Sequence, residues 1–84
     1  VVEFYTTACS HCKKLAGALN KLSEEKGDDV FFGKCNIDQE ALLQSRFDIS
    51  AVPTLLFIKN GEIKNRLVGE VHPLIIQEEI KKLA

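Results

Sequence analysis

A surplus of charge and a long apolar run are both missing from this 84-residue sequence. Its formal net charge of -1 offers no broad basic surface to nucleic acid or to an anionic membrane. Its apolar runs are only a few residues long, whereas a membrane-spanning helix needs about 20. We therefore expect neither a nucleic-acid partner nor a membrane segment. The composition, 45% hydrophobic and 27% charged, instead indicates a single globular domain over residues 1–84.

Cysteine is too scarce for a disulfide-rich scaffold. The three cysteines are an odd number, so one of them stays unpaired in the monomer that we expect. An unpaired thiol fits a reducing compartment better than a secreted protein, and no signal peptide is visible. We therefore predict a cytoplasmic location. The endoplasmic reticulum and the periplasm are the alternatives if a signal peptide has been removed.

The informative stretch is Cys9-Ser10-His11-Cys12, which lies between an apolar run and a helical pattern. Residues three apart in a regular helix have Cβ atoms about 5 to 6 Å apart, whereas a disulfide needs about 3.5 to 4.5 Å. Cys9 should therefore be the N-cap of the helix, with Cys12 in its first turn. Unpaired N–H groups and the helix dipole favour a Cys9 thiolate there. Cys12 is then the natural resolving thiol of a redox-active pair.

Three other interpretations of this pair remain open. A purely structural disulfide is one, although closing so short a loop stabilises the fold little. Zinc could bind both thiols together with Cys35 and either His11 or His72, but the sequence has no second close pair of ligands. An iron–sulfur cluster, including one bridged between two chains, is the third. The redox interpretation needs no metal and no cofactor, and Cys35 is then a small buried apolar side chain or, in a homodimer, a regulatory thiol.

Residue patterns predict an α/β domain with the element order βαβαββα. Apolar side chains recur at one-sided helical spacing after the motif, and Asn60-Gly61 predicts a type I′ hairpin. Strand–helix–strand units favour parallel pairing and the hairpin adds an antiparallel pair, so we expect one mixed four-stranded sheet with helices on both faces. The predicted strands are 1–5, 30–37, 54–58 and 62–68, and the predicted helices are 10–26, a short one from an N-cap at Asp38 through Phe47, and 73–83.

Glu3 interrupts the first predicted strand, which is otherwise typical of a strand buried on both faces. A buried carboxylate costs free energy unless it is paired or protonated. Glu3 is therefore either a functional group or a surface residue on a strand that is less buried than its pattern indicates.

Several short motifs resemble the thioredoxin superfamily. Val2-Glu3-Phe4-Tyr5 ahead of Cys9-Ser10-His11-Cys12-Lys13 is similar to protein disulfide isomerase domains. Asn36-Ile37-Asp38, Val52-Pro53-Thr54 and Lys59-Asn60-Gly61-Glu62 are similar to thioredoxins. These motifs follow one another in the right order over nearly the whole chain. The resemblance implies a minimal thioredoxin fold that lacks the N-terminal strand and helix of the full domain.

The resemblance also implies roles for individual residues. Cys9 would attack a substrate disulfide, and Cys12 would resolve the mixed disulfide. Glu3 matches the family's buried acid, which relays the proton that Cys12 loses. Lys34 matches a lysine on the neighbouring strand that tempers the cost of burying this acid.

Five further positions bear on recognition and tuning. Pro53 matches the family's cis-proline, and the backbone of Val52 would offer β-type hydrogen bonds to a bound peptide. Ser10-His11 resembles the Gly-His of the isomerases, where the imidazole stabilises the attacking thiolate and so makes the couple more oxidising. Ala8 stands where the family usually has tryptophan, which removes a recognition surface.

The resemblance thus implies a thiol-disulfide oxidoreductase that exchanges its Cys9/Cys12 pair with protein disulfides. A separate reductase or oxidase would recycle the pair. The alternative is a redox-inactive module that uses the same fold to bind a protein partner.

Overall fold

The computed structural model describes residues 1–83 and confirms the order βαβαββα. A short 3-10 turn, Gly27–Asp29, follows the first helix. The strands and helices are β1 (Val2–Tyr5), α1 (Ser10–Lys26), β2 (Gly33–Asn36), α2 (Ala41–Arg46), β3 (Thr54–Lys59), β4 (Glu62–Val68) and α3 (Pro73–Leu83).

The sheet has the strand order β2-β1-β3-β4, which places β1 inside it. β1 runs parallel to β2 and antiparallel to β3, and β3 runs antiparallel to β4. The β3–β4 turn has positive φ at both Asn60 (55°) and Gly61 (79°), as a type I′ turn requires. The mixed four-stranded sheet is therefore confirmed, and its central strand leads directly into the cysteine motif.

Helices cover both faces of this sheet. On one face, α1 and α3 pack against β3 around a cluster that includes Leu19, Leu55 and Ile76. On the other face, Phe4 and Leu56 pack with Ile49, and side chains of α2 lie against them. Leu55 and Leu56 point to opposite clusters because successive side chains of a strand alternate between faces. Within residues 1–83, no helix is long and apolar enough to cross a bilayer.

α1 forms where its pattern predicts it, and its burial follows the helical repeat. Its buried side chains face the sheet, so the second cysteine of the motif lies on the inner side of the helix. The helix ends at Gly27, whose φ of 58° favours glycine and whose N–H donates to the Ser23 carbonyl. The buried residues are Cys12, Leu15, Leu19 and Leu22.

Two local predictions are wrong. The second strand begins at Gly33 rather than at residue 30, and Phe31 is 86% exposed. The ladder between β1 and β2 begins at the pair Val2–Gly33, and before it the Val1 amine donates a single hydrogen bond to the Phe31 carbonyl at 2.8 Å. Asp38 is not the N-cap of α2, which begins only after Glu40. The Asp38 carboxylate instead accepts a hydrogen bond from the backbone N–H of Thr7.

Candidate active site

Cys9 is the N-cap of α1, as its spacing to Cys12 predicts. Its backbone is extended (φ -89°, ψ 108°), and its Sγ accepts a hydrogen bond from the Cys12 backbone N–H at 3.1 Å. The two cysteines form a disulfide with their Cα atoms 5.2 Å apart. Cys9 is half-buried, whereas Cys12 is only 2% exposed. A substrate can therefore reach Cys9 more easily than Cys12.

The loop that carries Cys9 is tied to the carboxyl end of β2. The Thr7 backbone N–H donates to the Asp38 carboxylate at 3.1 Å, and the Asn36 side-chain amide donates to the Thr7 hydroxyl at 3.0 Å. The Asn36 side-chain oxygen in turn accepts from the Asp38 N–H at 3.0 Å. The sequence pattern did not indicate this contact of Asp38, since its partner lies 31 residues away.

Glu3 is buried in β1, with 2% exposure, so the alternative of a surface residue is wrong. One of its carboxyl oxygens, Oε2, has no hydrogen-bond partner within residues 1–83. Burial raises the pKa of Glu3 from 4.5 to about 7, and the positive charge of Lys34 opposes part of that rise. Glu3 can therefore both bind and release a proton near neutral pH.

A cavity connects this carboxyl group to the dithiol. Its volume is about 140 Å³, which exceeds the roughly 30 Å³ that one water molecule occupies in the liquid. Glu3, Cys12 and Lys34 all line it, so the structure brings together three of the predicted site residues. The other lining residues are Tyr5, Thr6, Thr7, Lys13 and Ala16.

Val52 and Pro53 precede β3 and are joined by a cis peptide bond, as the resemblance implies. Pro53 is fully buried and Val52 is half-buried. The Pro53 carbonyl accepts a hydrogen bond from the Gly69 N–H at 2.8 Å. This bond fixes the loop between β4 and α3 beside the proline.

The two residues between the cysteines are exposed at the start of α1. Ser10 makes no side-chain hydrogen bond within the described chain, and its tuning role stays a prediction. His11 contacts Glu70 in the β4–α3 loop, with 2.7 Å between its Nδ1 and Oε2 of the carboxylate. Sequence reasoning missed Glu70, because a partner 59 residues away leaves no local pattern.

The side chains that a zinc site would need do not converge. Cys35 lies in β2 and packs against the cluster on the α2 face. The Nδ1 of His72 accepts a hydrogen bond from the Leu74 N–H at 3.1 Å. In residues 1–83, no three side chains of the metal-binding types gather into one cluster.

The sequence profile of the thioredoxin family matches residues 1–82. The chain is 34% identical to thioredoxin-2 of Saccharomyces cerevisiae over 80 residues, which make up 95% of this chain and 75% of that protein. The chain belongs to the thioredoxin family.

Two further thioredoxins agree with this assignment. The oxidised form of mitochondrial thioredoxin 3 from Saccharomyces cerevisiae has a TM-score of 0.88 at 30% identity, over 98% of this chain and 76% of that one. The chloroplastic M-type thioredoxin of Spinacia oleracea is 30% identical over 82 residues, which are 98% of this chain but 45% of that protein. The chain thus spans just under half the length of this plant thioredoxin. Family membership accounts for the position of the dithiol but does not separate the thioredoxin type from the isomerase type.

Proposed function

We propose that this thioredoxin-family chain is a thiol-disulfide oxidoreductase that acts on protein disulfides through Cys9 and Cys12. The observation that carries the proposal is the placement of the Cys9 sulfur at the N-cap of α1, where it accepts the Cys12 N–H at 3.1 Å. Such a donor and the positive end of the helix both stabilise a thiolate over a thiol. The half-exposed Cys9 is therefore the attacking group and the buried Cys12 the resolving group.

The exchange takes place in two steps. The Cys9 thiolate attacks one sulfur of a substrate disulfide, and the other substrate sulfur leaves as a thiolate. Cys12 then loses its proton and attacks Cys9, which releases the second substrate sulfur and closes the Cys9–Cys12 disulfide. In reverse, the same two steps oxidise a substrate dithiol.

Glu3 is the proposed acceptor of the Cys12 proton. It lines the same cavity as Cys12, and its pKa of about 7 matches a group that must gain and lose a proton at neutral pH. Lys34 lies on the wall of this cavity and moderates the cost of the Glu3 charge. A single cavity large enough for water would thus serve the buried half of the reaction.

Peptide substrates are proposed to bind along the Val52–Pro53 segment. Val52 is half-buried at the end of a loop that leads into β3, where an extended peptide can form β-type hydrogen bonds with the main chain. We further propose thioredoxin-type exchange with a separate recycling reductase. A reduction potential near about -270 mV in glutathione buffers supports this type, whereas a value near about -180 mV supports the isomerase type.

The test of the proposed activity is the reduction of insulin disulfides by the Cys9→Ser variant. Because Ser cannot form the mixed disulfide, we expect complete loss of turnover. Cys35→Ser is the matched control, since Cys35 lies in β2 and takes no part in the Cys9–Cys12 disulfide. Full activity of Cys9→Ser would overturn the proposal that Cys9 is the attacking group. A parent protein that reduces no insulin would instead favour the redox-inactive binding module. The monomeric state and the cytoplasmic location stay predictions.

A further inference from the structure

The His11–Glu70 contact joins two segments that the proposed mechanism does not otherwise connect. His11 belongs to the first turn of α1, between the two cysteines, and Glu70 belongs to the β4–α3 loop. The 2.7 Å separation of Nδ1 and Oε2 is typical of a strong, charge-assisted hydrogen bond. An ionised carboxylate only accepts hydrogen bonds, so the imidazole is the donor.

The loop holds Glu70 in place from both sides. On one side, the Gly69 N–H donates to the Pro53 carbonyl at 2.8 Å, and Gly69 has a φ of 91° that favours glycine. On the other side, the Leu74 N–H donates to the imidazole of His72 at 3.1 Å. Glu70 therefore reaches His11 from a loop that is anchored to the proline segment.

The contact occurs in the disulfide form, in which neither cysteine sulfur carries a charge. Reduction creates an anion at Cys9, two residues from His11. One imidazole then has two negatively charged neighbours, the Cys9 thiolate and the Glu70 carboxylate. When the imidazole is bonded to Glu70, it stabilises the Cys9 thiolate less.

We propose that Glu70 is a positioning residue that competes with the Cys9 thiolate for His11, and thereby makes the Cys9/Cys12 couple less oxidising. The proposal rests on the proposed thiol-disulfide exchange. Glu70 touches neither the sulfurs nor the substrate in this role, because it acts through the imidazole. The His11–Glu70 hydrogen bond is thus stronger in the disulfide form and weaker in the dithiol form.

Equilibration with glutathione measures this competition. Two glutathione thiols give up two electrons and become glutathione disulfide, while the Cys9–Cys12 bond breaks. One of the two released protons goes to Cys12, and the other goes to solvent when Cys9 remains a thiolate. Stabilising the thiolate therefore shifts the equilibrium toward the dithiol.

The experiment compares the glutathione equilibrium constants of the parent and of Glu70→Gln. Glutamine keeps the shape of the side chain but removes its charge, so the His11 imidazole can interact with the Cys9 thiolate instead. We expect a shift of about threefold toward the dithiol, within the range that exposed ion pairs contribute. This equals about 14 mV, since a tenfold change corresponds to about 30 mV for two electrons.

A double-mutant cycle separates an effect of Glu70 through His11 from a general effect of its charge. His11→Ala alone should shift the equilibrium toward the disulfide, and Glu70→Gln should have no further effect in that background. Glu78→Gln is the matched control, because it removes one charge from an exposed pair with Lys81 on α3. Lys81 lines a cavity beside Val1, at the opposite end of β1 from the motif. The control should leave the equilibrium unchanged.

Each outcome decides between the two proposals. If the parent shows no reversible equilibrium with glutathione, the proposed exchange itself fails. If the parent equilibrates but Glu70→Gln has no effect or favours the disulfide, only the role proposed for Glu70 is overturned. A shift of equal size in the His11→Ala background would also overturn it, since Glu70 would then act without His11.

Discussion

Two glutamates lie near the dithiol, and their surroundings differ sharply. Glu3 belongs to β1 and lines the same cavity as Cys12. It is 2% exposed, and one of its carboxyl oxygens is unpaired within residues 1–83. The Glu70 side chain is 41% exposed and bonds to His11. Burial raises the pKa of Glu3 to about 7, whereas water reaches the carboxylate of Glu70. The buried carboxyl group is thus suited to exchange a proton, whereas the exposed one is held in a hydrogen bond with His11.

The largest effect should come from removing the buried charge. Between pH 4.5 and about 7, Glu3 binds more protons in the folded state than in the unfolded state, so it destabilises the fold as the pH rises through this window. The shift corresponds to about 3 kcal/mol of unfolding free energy. We therefore expect the stability of Glu3→Gln relative to the parent to improve by about 3 kcal/mol between pH 4 and pH 8.5.

Urea unfolding of both oxidised proteins across this pH range measures the effect. The two curves should diverge as the pH rises and run parallel above about pH 8. Titrating groups that do not interact with Glu3, including the Val1 amine whose pKa is lowered by burial, contribute equally to both proteins and cancel in the difference. A constant difference between the curves at every pH would mean that Glu3 is not desolvated, and the contrast with Glu70 would disappear.

The next effect is on turnover. Glu3→Gln keeps the size of the side chain but cannot accept the Cys12 proton. We expect insulin reduction at pH 7.5 to slow by about tenfold, less than the usual contribution of a general base because the proton can also pass to solvent. Glu70→Gln is the comparison and should stay within about threefold of the parent. An unchanged rate for Glu3→Gln would reduce Glu3 to a structural role.

The smallest effect is a salt dependence. At 1 M salt the Debye length falls to about 3 Å, and exposed charges are largely screened. The threefold effect of Glu70→Gln on the glutathione equilibrium should therefore shrink toward one. The tenfold effect of Glu3→Gln on turnover should persist, because bulk salt screens a buried group much less. Repeating both measurements at 0.05 M and 1 M salt tests this, and equal salt sensitivity would contradict the comparison.

Local patterns predicted the parts of the molecule that local physics determines. Helical spacing predicted α1 from Ser10 to about Lys26, where the structure has it, and Asn60-Gly61 predicted the turn because both residues adopt positive φ. The spacing of Cys9 and Cys12 likewise placed Cys9 at the N-cap, since two cysteines three apart inside a regular helix are too far apart for a disulfide. The resemblance to thioredoxins added Pro53 and its cis bond.

The errors and omissions all involve partners that are distant in sequence. Phe31 looks like a strand residue, but the pairing of β2 with the distant β1 begins only at Gly33, and the Phe31 side chain is exposed. Asp38 looks like a helix cap, but its carboxylate bonds to Thr7 instead. Glu70 has no recognisable pattern, because its role exists only once the fold has brought the β4–α3 loop to α1. Such contacts depend on the assembled sheet and not on their neighbours along the chain.

The hydrogen bond from Cys12 to the Cys9 sulfur has a practical consequence, because its donor is the main chain. Replacing Cys12 by serine removes the resolving thiol but leaves this N–H in place. Such a variant retains an activated nucleophile and has no means of releasing what it captures. Each molecule of the variant would stay disulfide-bonded through Cys9 to the polypeptide that it has attacked, and the bound polypeptides could be recovered and identified.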